Sequence, residues 1–256
     1  MPTPQLKSNE LLGRINDLYG QEKDDLAVRR IRLDAEALKK TDPLGAYNAL
    51  GALECIMGNI EKSRSNHKAA LRLDRSFNTL HNFASSMHNL AEYDESMGYL
   101  QELFEMDPGN LHVLSRYISA SYETGQLQQA EHLLNEWDKL SPENPYVEAQ
   151  QILECALAAR ELELSDDILM PIFKATHKYV FECRFFSEGF YSEVTITDSG
   201  PVITLYVFVR GDEDSIVDLN VNFPSYLVER VEEIVPDKLV QFYIPEEEFA
   251  SERQHG

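Results

Sequence analysis

Apolar and small side chains return in this chain on a long period. Three segments close in the same way: Ala70-Leu71-Arg72-Leu73-Asp74, Leu103-Phe104-Glu105-Met106-Asp107-Pro108 and Trp137-Asp138-Lys139-Leu140-Ser141-Pro142, at steps of 33 and 34 residues. Upstream of each, Leu50-Gly51, Phe83-Ala84 and Tyr117-Ile118 set a large residue beside a small or apolar one. Gly58, Ala91 and Gly125 come next, followed by Ser63, Ser96 and Ala130. A period of this length marks stacked supersecondary units, none of which can bury its apolar face alone. The pattern predicts two helices per period. The large residues lie on the first helix, the turn is at Gly58, Ala91 and Gly125, and small residues on the second let the pair approach closely. Pro after the closing position starts the next helix.

At these residues the chain resembles the tetratricopeptide repeat (TPR) family. The resemblance covers about residues 8–163 and implies an all-α, TPR-like solenoid of helical hairpins, with clear repeats at 44–76, 77–110 and 111–144. Asp42-Pro43 holds the closing position one period earlier, so residues 8–43 are expected to form a degenerate first hairpin with Leu26, Ile31, Ala35 and Leu38 on its apolar face. A terminal repeat departs from the pattern because one of its sides meets water. After Pro145, residues 146–163 read as a capping helix with Val147, Ile152, Cys155, Leu157 and Ala158 among its apolar positions.

From about Ser165 the periodicity changes. Ser165-Asp166-Asp167 opens a helix that runs to about Phe181, with Pro171 obscuring where it begins. Tyr191–Thr197 and Val202–Val209 then alternate as two strands of a hairpin around Asp198-Ser199-Gly200-Pro201. Val217, Leu219, Val221 and Phe223 alternate with Asp218, Asn220 and Asn222, which predicts a third, half-buried strand. A helix from Pro224-Ser225 to Val235 and a last strand at Leu239–Ile244 complete a small α+β domain at 165–245, with an antiparallel sheet. Residues 246–256 read as a disordered acidic tail.

Charge narrows the function classes. Forty-four acidic residues oppose 23 basic ones, for a formal net charge of −21. Residues 151–256 alone hold 21 acidic and 8 basic residues. Such a chain repels phosphate backbones, so no nucleic-acid partner is expected. No apolar run has the length of a membrane span, and no signal peptide is visible after Met1. Cys55, Cys155 and Cys183 are widely spaced and odd in number, which excludes a disulfide framework and fits a reducing cytoplasm.

Catalytic chemistry is not indicated. None of the seven histidines pairs at the i, i+4 spacing of a helical zinc site with a nearby Glu. His81 and His88 lie seven residues apart, about 10 Å along a helix and too far to share an ion. The cysteines lack a basic neighbour in sequence, and no glycine-rich phosphate loop occurs. No cofactor, metal or enzymatic activity is expected.

The resemblance also implies where a partner sits. In the family, positions 2, 5, 9, 12 and 13 of each first helix line a concave groove. In this chain they are Gly45, Asn48, Ala52, Cys55 and Ile56, then Asn78, His81, Ser85, His88 and Asn89, then His112, Ser115, Ser119, Tyr122 and Glu123. Asn48, Asn78, His81, Ser85, His88, Asn89, His112, Ser115, Ser119 and Tyr122 are the candidate partner-binding residues, able to exchange hydrogen bonds with a peptide or docked helix. A solvated helix face is also polar for solubility alone. One subfamily clamps C-terminal carboxylates. Asn82 and Arg116 match two clamp positions, but Asn48, Ala52 and His112 stand where Lys, Asn and Lys are needed, so the anion loses its anchor. The expectation is a two-domain adaptor for a protein or peptide partner. An antitoxin- or immunity-type inhibitor of a basic effector is an alternative, as is a ligand-sensing or enzymatic α+β domain regulated by the repeats. Homo-oligomerisation stays open, since stacked repeats can pair end to end.

Overall fold

A computed structural model describes residues 4–19 and 24–247. Among the described residues ten helices precede a small sheet, and the chain divides into two compact units, Met1–Pro108 and Gly109–Gly256. The expected acidic tail falls mostly at residues 248–256, outside the described residues.

The first unit holds α1 (Pro4–Asn16), α2 (Asp25–Leu38), α3 (Pro43–Ile56), α4 (Ile60–Leu73), α5 (Phe77–Asn89) and α6 (Tyr93–Met106). Helix α3 starts as the sequence predicts: Pro43 occupies its first turn, and Asp42 accepts the Gly45 N–H at 2.9 Å. Leu11 and Ile15 of α1, Val28, Ile31, Ala35 and Leu38 of α2, and Ala46, Ala49, Leu50 and Leu53 of α3 form one buried cluster. Leu26, expected on that face, is instead exposed, because the buried stripe passes through Val28 at the three-and-four spacing of α2.

The repeat is written in identical backbone chemistry. Gly58, Ala91 and Gly125 all have positive φ, at 71°, 55° and 74°. At each, the N–H bonds back three residues, to Cys55, His88 and Tyr122, and the next N–H bonds back five, to Glu54, Met87 and Ser121. This left-handed C-cap satisfies the last carbonyls of the first helix and reverses the chain. The small residues of the second helix act alike: Ser63 Oγ donates to Gly51 O and Ser96 Oγ to Ala84 O, both at 2.9 Å. Ala130 holds the same position in the third repeat without a hydroxyl.

The second unit holds α7 (Leu111–Glu123), α8 (Leu127–Leu140), α9 (Ala149–Glu161), α10 (Asp166–Glu182), β1 (Phe186–Thr197), β2 (Gly200–Arg210), α11 (Glu213–Arg230) and β3 (Leu239–Pro245). Helix α9 buries Ile152, Cys155 and Ala158, while Val147 precedes it and Leu157 points outward, so both are exposed against expectation. Helix α10 runs through Pro171, which is exposed. Its Asp166 carboxylate accepts the N–H groups of Gln128 and Gln129 at 3.0 and 3.3 Å, supplying the cap that the start of α8 lacks in its own sequence.

Strands β1 and β2 form the expected antiparallel hairpin, with Tyr191 opposite Tyr206. Two expectations fail beyond it. Val217–Phe223 is not a strand but the middle of α11, and the helix expected from Pro224 to Val235 ends at Arg230. Asp212 caps α11 through the Ser215 N–H at 2.9 Å, and Ile216, Leu219, Phe223 and Leu227 are buried on one helical stripe. The alternation at 217–223 shares Leu219 and Phe223 with that stripe, so both periods fit the short window. Only Ile216 and Leu227 outside it decide between them. With a helix in the connection, β3 returns parallel to β2, Tyr243 facing Val207, so the sheet is mixed. The free edge of β3 is covered by a side chain. Asn220 of α11 donates to Tyr243 O at 2.7 Å and accepts the Tyr243 N–H at 2.9 Å, standing in for a neighbouring strand.

Candidate functional site

Helix α5 carries the most open set of candidate residues. Asn78, His81, Ser85, His88 and Asn89 follow one another at helical spacing and share a face. Asn78 and Asn89 are exposed, and the other three are half-buried. The His81 ring stacks on Phe77 at 6.4 Å, and the His88 ring meets the edge of Tyr93 at 5.3 Å. These contacts hold both imidazoles in place on the helix surface, and none of the five residues is Asp, Glu, Lys or Arg.

Helix α3 contributes differently. Asn48 is buried, and its Oδ1 lacks a hydrogen-bond partner. Cys55 is buried too and donates its thiol to Ser86 O at 3.3 Å. On the other side of Ser86, His67 Nε2 meets the Ser86 hydroxyl at 2.8 Å. This Ser–His pair is structural. His67 is fully buried, nothing orients its Nδ1, and burial holds its pKa down at about 3. A catalytic pair needs access and an orienting group on the far ring nitrogen.

Helix α7, in the second unit, shows a face closed by its own chain. His112 is exposed. The Tyr146 hydroxyl lies 3.0 Å from Ser119 Oγ, engaging that side chain, and donates to the Ser115 backbone carbonyl at 3.5 Å. Tyr122 is buried beneath β1. Its hydroxyl bonds Ser192, its ring meets the edge of Phe190 at 5.2 Å, and burial pushes its phenol well above the usual range. Cys155 Sγ sits 3.0 Å from the same Ser192 hydroxyl, and burial raises its pKa also, which keeps it a thiol. Tyr122 and Asn48 are therefore core residues of their own units. Nothing in the sequence signals the cover over Tyr122, since Ser192 lies 70 residues downstream.

Among the described residues, no group of three or more His, Cys, Asp or Glu side chains is placed to hold a metal. No described helix is long and apolar enough to cross a membrane.

The tetratricopeptide repeat family model matches residues 91–152, a stretch that begins at the left-handed Ala91 and ends within α9. Residues 91–152 are a tetratricopeptide-repeat segment. Upstream of the match, the C-cap at Gly58 and the Ser63 bond to Gly51 O repeat the geometry seen within it at Ala91 and Ser96. TPR segments act in general as protein-interaction scaffolds. No curated protein matches the chain.

Proposed function

We propose that this protein is an adaptor that holds a protein or peptide partner on the TPR face of α5, with the part from residue 165 to 245 as a second module. The observation that carries this reading is the uncharged polar row of Asn78, His81, Ser85, His88 and Asn89 in a chain otherwise dense in acid. Amide, hydroxyl and imidazole groups exchange hydrogen bonds with a peptide backbone without the desolvation cost of a fixed charge. In the second unit His112 is exposed, whereas the Ser119 and Tyr122 side chains are engaged by Tyr146 and β1.

The test is capture of the tagged full-length protein from its native cells, beside the variant His81→Ala/His88→Ala. A stoichiometric partner lost in the variant supports the adaptor. Equal recovery from both samples removes α5 from the reading.

Charge favours a second reading, neutralisation of a basic effector. Residues 109–256 hold 27 acidic and 10 basic side chains. On that reading the captured partner has a high pI, and its association rate falls steeply with salt. A rate indifferent to salt rejects it.

A further inference from the structure

Helix α11 has two apolar faces, and only one is used inside the second unit. Ile216, Leu219, Phe223 and Leu227 are buried. Val217, Val221 and Val228 are 57%, 68% and 63% exposed, with exposed Pro224 between them. These four follow at i, i+4, i+7 and i+11, so they form one stripe about 16 Å long on the outward side. Valine on a solvated helix surface adds neither helix propensity nor solubility. Single exposed apolar residues are ordinary in folded proteins, but an aligned row on one helix face marks an interaction surface.

The charge around the stripe selects its occupant. Residues 212–238 contain eight acidic and two basic residues. Asp214, Asp218 and Glu229 are exposed and flank the valines on one side of the helix, and Glu213 flanks them on the other. Both basic residues are already engaged. Arg230 lies 3.8 Å over the Tyr226 ring and pairs with Glu229 and Glu182, and Lys238 donates to Leu162 O at 3.0 Å. Two copies pairing through this face would set the acids of one helix against those of the other, at a cost in like-charge repulsion.

We propose that the outward face of α11 is a docking surface for a basic amphipathic helix of another protein. The partner's apolar stripe covers Val217, Val221, Pro224 and Val228, and its flanking Lys or Arg side chains meet Asp214, Asp218 and Glu229. This surface is made by other residues than those of α5, and the variants that test the two differ, so a result at one does not decide the other.

The experiment uses the full-length chain and a labelled synthetic helix of about 18 residues, with leucines at the matching spacing and lysines beside them. A second peptide replaces every lysine by glutamate. Binding is read by fluorescence anisotropy for the wild type and for Val217→Ala/Val221→Ala/Val228→Ala, which removes apolar surface and leaves every charge in place. Circular dichroism confirms that the variant is folded. The expected result is salt-sensitive binding of the lysine peptide that weakens about tenfold or more in the variant, with no binding of the glutamate peptide. Equal binding of the lysine peptide by wild type and variant overturns the assignment, because charge alone then suffices. Binding of both peptides alike overturns it as well. A concentration-dependent dimer in sedimentation that the variant abolishes gives the face to a second copy and rejects the basic partner.

Discussion

Gly51 and His67 share one space. A Cβ built on Gly51 would lie 2.5 Å from His67 Nε2 and 2.7 Å from two ring carbons, so α4 places an imidazole where α3 has no side chain. The ring is fixed there by Phe83, stacked at 5.1 Å, and by the Ser86 hydroxyl. The Gly51→Ala substitution should therefore destabilise the first unit by about 1–3 kcal/mol, as overpacking of a closed site does. Combining it with His67→Ala should cost less than the sum of the two, since the smaller side chain makes room for the methyl. Urea unfolding of the four members of this cycle measures the coupling, and strict additivity would refute the shared-space account.

His67 also makes stability depend on pH. Its pKa is about 3 in the folded protein and 6.5 when unperturbed, with burial as the cause. Between those values the unfolded chain binds the proton and the folded chain does not. Stability from this group is complete above 6.5 and is lost as pH falls toward 3, by at most about 1.4 kcal/mol per pH unit. The urea midpoint of His67→Leu should fall less steeply than that of the wild type from neutral pH to about pH 5, where most carboxylates remain ionised. Parallel slopes would show that other groups carry the dependence.

Ala91 adopts φ of 55° where the equivalent turns use Gly58 and Gly125. A side chain in the left-handed region costs roughly 1 kcal/mol, so Ala91→Gly should leave the protein unchanged or stabilise it by about 0.5–1 kcal/mol despite the greater freedom of glycine when unfolded. The reverse change at Gly125 should cost more than the same change at Gly58. A Cβ at Gly125 would meet the Phe173 ring at 2.8 Å, whereas at Gly58 nothing lies within 4 Å. Thermal melts of the three variants give the ranking.

Removal of the Asn220 carboxamide should open the edge of β3. Asn220→Ala leaves the Tyr243 N–H and C=O without their side-chain partner, at about 1–3 kcal/mol. Amide exchange at Tyr243 should rise relative to Leu205 on the central strand. Unchanged protection at Tyr243 would mean that the edge is closed by something other than α11.

The helical part of the fold was legible in the sequence because its determinants are local. A turn at Gly58, Ala91 or Gly125 needs only a left-handed residue after a helix, and the first two hairpins are closed by a serine twelve residues beyond the carbonyl it meets. Thirty-three residues later the same requirement recurs, so the repetition itself is visible. The hairpin of β1 and β2 was legible for the same reason, since Gly200 turns the chain within a few residues of both strands.

What lies at long range was not legible. Val217–Phe223 satisfies the strand and helix periods equally over seven residues, and only packing of Ile216 and Leu227 in the folded unit selects the helix. That choice sends Val217 and Val221 outward and reverses β3. Tyr122 occupies a groove position by its place in the repeat, yet Ser192 and Phe190 cover it from 70 and 68 residues away. Within the repeats, the sequence alone determined which segments are helices, where they turn and how often the unit recurs, because one hairpin contains all the contacts that decide those things. Tertiary structure alone decided which face of each helix stays open, because exposure depends on what the distant chain brings to cover it.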